Sequence, residues 1–176
     1  MHAIGGSPLA EALGLSMEKD TGDYRLPSMT LPREARILAL GGLLSAGVAL
    51  LHVAIIFLGA PAYRYFGAGE RMAVRAEHGD SRPAVITAGL SVMFAVWSAY
   101  AFSGASVLRP LPFLRAGLIA IGAVYTMRGL VLIPQIVLTL GGSETVPLRH
   151  LAFSAASLFI GVAYLAGTRM ARPKPD

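Results

Sequence analysis

The 176-residue chain contains no cysteine. Disulfides, thiolate metal sites and thiol catalysis are excluded, and cysteine usage gives no clue to the compartment. Charge is scarce: Asp, Glu, Lys and Arg make up 14% of the residues, against about 25% in an average soluble domain. Apolar residues make up 55%, and the mean hydropathy is +0.61. A disordered chain needs the opposite balance. A soluble domain of this size could not cover so much apolar side chain. The class that remains is an integral membrane protein.

The scarcity is concentrated. Ile37–Ala60, Pro83–Leu108, Ala116–Ser143 and Leu151–Thr168 hold no acidic residue and, apart from Arg128, no Lys or Arg. These stretches run 24, 26, 28 and 18 residues. A helix that crosses a bilayer needs about 20 apolar residues at 1.5 Å rise each. The shortest stretch reaches that length by recruiting Pro147 and Leu148, with proline suited to a first helical turn. Strands of a membrane β-barrel alternate apolar and polar residues, and Val48–Leu58 does not. The expectation is an all-α membrane protein, a bundle of four antiparallel transmembrane helices over about 37–60, 83–105, 116–140 and 148–168. This membrane domain occupies 33–169, between an N-terminal tail (1–32), expected to be mobile, and a short basic tail (170–176).

The N-terminal tail carries Glu11, Glu18, Asp20 and Asp23 and lacks the basic start and short apolar core of a secretion signal. Met29-Thr30-Leu31-Pro32-Arg33 reads as a natural start, which would make residues 1–28 an upstream extension or a dispensable tail. Lys and Arg beside the spans number eight on the side of the termini and five on the other, an excess that places both termini in the cytoplasm. The longest connection, Pro61–Arg82, contains a helix-like piece bounded by Gly69 and Gly79, expected to lie at the interface as an amphipathic helix. Tyr63, Tyr65 and Phe66 precede it as an aromatic belt, and Glu70 and Arg71 begin it.

Arg128 is the sharpest single feature. A charge near the middle of a span costs at least about 2.5–3.5 kcal/mol on insertion scales, so it should face the bundle interior or a wet cavity. It can anchor the anionic or polar group of a ligand, or donate to neighbouring helices and hold the bundle together. Gly129 and Pro134 follow it. Pro134 lacks an N–H and crowds the Leu130 carbonyl, which predicts a kink beside the buried charge, as at substrate sites in transporters. Tyr125 and Gln135 share its helical face, and His52 lies in the outer half of the first span. Arg128, His52, Tyr125 and Gln135 form the candidate ligand-binding set. Polar stripes through Thr87, Ser91 and Ser98 and through His150, Ser154, Ser157 and Tyr164 add interior polarity, although serines on helix interfaces are also ordinary packing devices.

Other chemistries find no support. No carboxylate within a span can orient a histidine for a hydrolase, and there is no His-x-x-x-His or Glu-x-x-His metal pattern and no phosphate-loop glycine pattern. His52 and His150 sit at unequal depth, which argues against a haem between them. No cofactor is therefore expected, and no basic-aromatic module suggests nucleic acid. The expected partner is the lipid bilayer, with a homo-oligomer or a larger membrane complex as the assembly. The leading expectation is an internal polar site that binds or passes a small polar or anionic molecule or a lipid head group. One rival is an accessory subunit of a larger complex, docking through the Gly41, Ser45, Ala49 face and the Pro61–Arg82 loop. A second is a haem- or quinone-linked redox protein.

Three stretches carry a resemblance. Gly59-Ala60-Pro61-Ala62-Tyr63-Arg64-Tyr65-Phe66-Gly67-Ala68-Gly69-Glu70-Arg71, Tyr100-Ala101-Phe102-Ser103-Gly104 and Leu111-Pro112-Phe113-Leu114-Arg115 are similar to a family of uncharacterised bacterial four-span proteins, themselves similar in architecture to DoxX-like membrane proteins. The resemblance covers about residues 36 to 168. It implies the four-span fold and a bacterial inner membrane, and it assigns no activity to any residue.

Overall fold

The computed structural model describes residues 31–142 and 146–171. The expectations placed on residues 1–28 and on the distal basic tail lie outside those residues. Of the described residues, 81% are helical and none is in a strand. The elements are α1 (Arg33–Leu58), α2 (Ala60–Tyr65), α3 (Glu70–Glu77), α4 (Arg82–Gly104), α5 (Leu114–Leu130), α6 (Leu132–Leu140) and α7 (Leu148–Met170). Four helical segments are long and apolar enough to cross a membrane: α1, α4, α5 with α6, and α7. They run up and down in turn. One end of the bundle, here the base, holds the start of α1, the α4–α5 turn and the end of α7. The other, the crown, holds α2, α3 and the connection into α7.

Local chemistry sets the element boundaries. α1 stops at Gly59, whose φ of 67° and ψ of −144° only glycine adopts readily. Pro61 and Pro83 then occupy the first turns of α2 and α4, where a missing N–H costs nothing. Asp80 Oδ1 accepts the Arg82 N–H at 2.9 Å at the start of α4. The third span breaks at Val131, between α5 and α6. The Pro134 ring cannot sit over the Leu130 carbonyl and has no N–H to offer it, so the helix restarts one residue later.

Around the bundle, α1 packs on α4 and on α7, α7 packs on α5, and α5 meets α4. Glycines bring the backbones together. A methyl group on Gly122 would lie 2.8 Å from Leu165 Cγ, and one on Gly129 would run into the Leu158 backbone. Gly42 faces Ala101 and the Ser98 carbonyl, and Gly41 faces the Tyr164 ring. Serines of α4 staple it to α1: Ser91 Oγ donates to the Ala49 carbonyl at 2.9 Å, and Ser98 Oγ to the Gly42 carbonyl at 2.8 Å. The Gly41, Ser45, Ala49 face is therefore internal, buried against α4 and α7 of the same chain. It is not the partner-docking surface expected from sequence.

At the centre one chain of hydroxyls touches all four spans. Tyr125 OH (α5) donates to Ser45 Oγ (α1) at 3.2 Å, and Ser45 Oγ and Tyr164 OH (α7) lie 2.9 Å apart. Tyr164 OH donates to the Trp97 carbonyl (α4) at 2.9 Å. Tyr164 has spent its proton on that carbonyl, so Ser45 donates to Tyr164 and Tyr125 to Ser45. Every hydroxyl proton in this buried centre has an acceptor. Outward, the spans present Leu43, Leu50, Phe57, Val85 and Val92 to the surroundings, with Phe57 85% exposed. A surface this apolar suits lipid.

Candidate functional site

Tyr125 and Trp97, at the two ends of the hydroxyl chain, line a cavity in the crown half of the bundle, with a volume of about 540 Å³. Its walls come from all four spans and from the crown segment. The lining is mostly apolar and aromatic, with Ile55, Leu90, Phe94, Trp97, Phe153 and Ile160 typical. The polar minority is Arg128, His52, Tyr125, Tyr63, Thr87 and Ser157. An apolar chamber of this size with a few convergent polar groups is the usual form of a small-molecule site.

Arg128 stands on this wall. Its Nη1 donates weakly to Ser154 Oγ at 3.4 Å, and no carboxylate among the described residues pairs with it. The helical position explains the placement: Arg128 follows Tyr125 by one turn, so the residue above the buried phenol must look into the same space. The cation retains four unused donors in a fixed fork, a geometry suited to a carboxylate or phosphate.

His52 faces the cavity from α1. Its Nδ1 lies 2.8 Å from the Val48 carbonyl. A carbonyl only accepts, so Nδ1 carries the proton, and in the neutral ring Nε2 is left as an acceptor. The ring packs against Phe94 at 5.0 Å between centroids. Phe94, Trp97 and Tyr125 continue as a cluster at 5.1 to 6.0 Å. Phe94 had no signal in the sequence, because it meets the other rings only across helices.

Gln135 is not part of this site. The break at Val131 separates it from Arg128, and seven residues of helix carry it about 10 Å further along the span. It sits on α6 against α7, with its Oε1 buried and unpaired. His150 also lies outside the cavity, beside Gly67. No group of three His, Asp or Glu able to hold a metal occurs among the described residues.

The crown closes the cavity. The helix-like piece expected between Gly69 and Gly79 is α3, but its buried Ala73 packs on the protein itself, in one apolar cluster with Ile55 and Tyr63. Tyr63 is only 2% exposed and lines the cavity, with its hydroxyl 3.5 Å from Thr87 Oγ1. Phe66 stacks on Phe153 at 5.7 Å. These two aromatics are lid residues, not an interfacial belt, because the chain turns back over the bundle end at Gly59 instead of leaving it. Tyr65 alone stays outside, under the Arg149 guanidinium at 5.4 Å. Arg71 is exposed.

Arg64 buttons the lid. Its Nη2 meets Glu70 Oε1 at 2.7 Å and its Nη1 meets Glu77 Oε1 at 2.6 Å, which ties α2 to both ends of α3. Hydrogen bonds from Arg64 hold both carboxyls below the usual glutamate range, and those carboxylates raise the guanidinium in return. The clamp is exposed, so its value lies in geometry more than in energy.

No family model, curated protein or solved structure matches this chain.

Proposed function

We propose that this protein is a membrane-embedded binding protein whose cavity holds a small amphiphilic anion, with Arg128 as the anchor for its acidic group. One observation carries the reading: an arginine with no described carboxylate partner on the wall of a largely apolar 540 Å³ cavity. Left unfilled, that arrangement is an expensive one inside a bilayer. A carboxylate or phosphate head group would pair with the guanidinium, and an apolar body would fill the aromatic chamber. His52 Nε2 offers an acceptor to a hydroxyl on the same ligand, and Tyr125 lines the same cavity. The excess of Lys and Arg on the terminal side supports cytoplasmic termini. The resemblance to bacterial four-span, DoxX-like proteins supports a bacterial inner membrane.

Native mass spectrometry of protein released from nanodiscs supplied with stearate tests this. Wild type should carry one stearate per chain. Arg128→Gln should lose it, and Arg128→Lys should keep part. If Arg128→Gln lowers membrane yield and thermal stability while stearate stays bound, Arg128 is a structural residue and the reading fails.

A further inference from the structure

Three of the four seams of the bundle are closed at the level of the cavity. Between α1 and α4, Ser91 is bonded to the Ala49 carbonyl, and Phe94 packs on His52. Between α5 and α7, Gly129 lies against the Leu158 backbone, and Arg128 reaches Ser154. Between α1 and α7, the Ser45–Tyr164 bond joins the helices on the base side, and Phe66 packs on Phe153 towards the crown. The seam between α4 and α5 differs. From the base it is closed by Leu118 on Gly104, Tyr100 on Gly117, and Trp97 and Phe94 on Tyr125. On the crown side of Phe94 and Tyr125, no hydrogen bond or ring contact among the described residues joins the two helices. There Ile86 and Leu90 of α4 line the cavity and are also 52% and 38% exposed, and Val124 of α5, one residue to the base side of Tyr125, lines it and is 46% exposed. Arg128 is likewise exposed at this edge.

The surroundings of this opening are apolar. By helical rise Arg128 lies about 21 Å from the start of α5 and about 18 Å from the end of α6, well inside a hydrocarbon layer of about 30 Å. The way in from the crown is covered by α2 and α3, held by the Arg64 clamp, with Tyr63 and Ala73 buried beneath.

We infer that the α4–α5 seam is a lateral portal. A single-chain anionic amphiphile dissolved in the bilayer passes between Leu90 and Val124, and its head group meets Arg128 at the inner edge. This rests on the binding reading above and adds the source and route of the ligand. The occupant follows from charge and size. A cation at bilayer depth selects an acidic head, an apolar mouth selects a hydrocarbon body, and 540 Å³ suits one chain better than a diacyl lipid.

The absence of native cysteine makes the test specific. A Leu90→Cys, Val124→Cys double variant in nanodiscs is bridged across the seam with a flexible bis-methanethiosulfonate. The sole tryptophan, Trp97, lines the cavity and reports occupancy through quenching by dibromostearate. Bridging should slow both the onset of quenching and its reversal by about tenfold or more relative to the unbridged double variant, because a gate alters rates in both directions. Reduction of the bridge should restore the rates, and a monofunctional reagent on Leu90→Cys alone should slow them less. Saturable quenching with rates unaffected by the bridge would overturn the portal and leave the binding reading standing. Absence of saturable quenching in the unbridged protein would overturn both.

Discussion

Ser45 Oγ and Tyr164 OH lie 2.9 Å apart, 119 residues from each other in the chain, and the serine bridges by hydrogen bonds the two buried phenols Tyr125 and Tyr164, whose rings also pack at 5.9 Å between centroids. Ser45→Ala would leave the Tyr125 proton without its acceptor and the Tyr164 oxygen without its donor. Hydrogen bonds between spanning helices average about 0.6 kcal/mol and reach about 1.7. An unsatisfied buried group costs about 1–3 kcal/mol. Ser45→Ala should therefore destabilise the bundle by about 1–2 kcal/mol, while Tyr125→Phe, at the end of the chain, should cost about half a kcal/mol. Thermal melts in mild detergent order the variants. Equal losses would mean that the hydroxyls act independently.

Glycines in this protein divide into two kinds, and substitution separates them. Gly129 abuts the Leu158 backbone, which cannot step aside, so Gly129→Ala should push α5 from α7 and lower the melting temperature by several degrees. Gly47 and Gly89 sit in α1 and α4 with nothing within 4 Å of an added methyl. Gly47→Ala and Gly89→Ala should be neutral or stabilising by up to about 1 kcal/mol each, since alanine holds a helix better than glycine does. Detergent-resistant yield and melting temperature check both directions.

The crown clamp has a defined pH dependence. Hydrogen bonds from Arg64 hold the Glu70 and Glu77 carboxyls below the ordinary range. A group lowered on folding stabilises at every pH above its ordinary value, about 4.3 for glutamate, and loses that contribution as pH falls through the lowered value. The raised Arg64 would lose its contribution only in strong alkali. A spin label on exposed Arg71→Cys should thus show constant mobility at neutral pH and a rise below about pH 4. Arg64→Gln should show raised mobility throughout, without the acid step. An acid step that persists in Arg64→Gln would place its origin elsewhere.

Charge distribution made the four spans legible, because a helix crossing lipid must be long and nearly uncharged. Pro134 likewise announced a break, which came at Val131. Arg128 and Tyr125 were readable as a pair since one helical turn separates them. Gln135 shares that spacing and was misplaced, because periodicity assumes an unbroken helix. Phe94 was not readable as a wall of the cavity, and Thr87 and Trp97 only as parts of a polar stripe on one helix. Their role depends on which faces of separate helices meet, and every span here carries small and polar residues on more than one side. Tyr63 shows the same difficulty at shorter range. An aromatic at the end of a span becomes an interfacial anchor if the chain leaves the bundle and a lid if it folds back, and a positive φ at Gly59 decides between them.

The most direct test of the account is the equilibrium quenching of Trp97 by a brominated acid and by its neutral alcohol. In nanodiscs, dibromostearate should quench wild type saturably, and dibromostearyl alcohol should bind at least about tenfold more weakly, the worth of one lost charged contact of about 1.4 kcal/mol. Arg128→Gln should bring the acid to the level of the alcohol, with melting temperature held near wild type. Equal quenching by acid and alcohol in wild type, or an acid affinity unchanged in Arg128→Gln, would contradict an Arg128-anchored site for an amphiphilic anion.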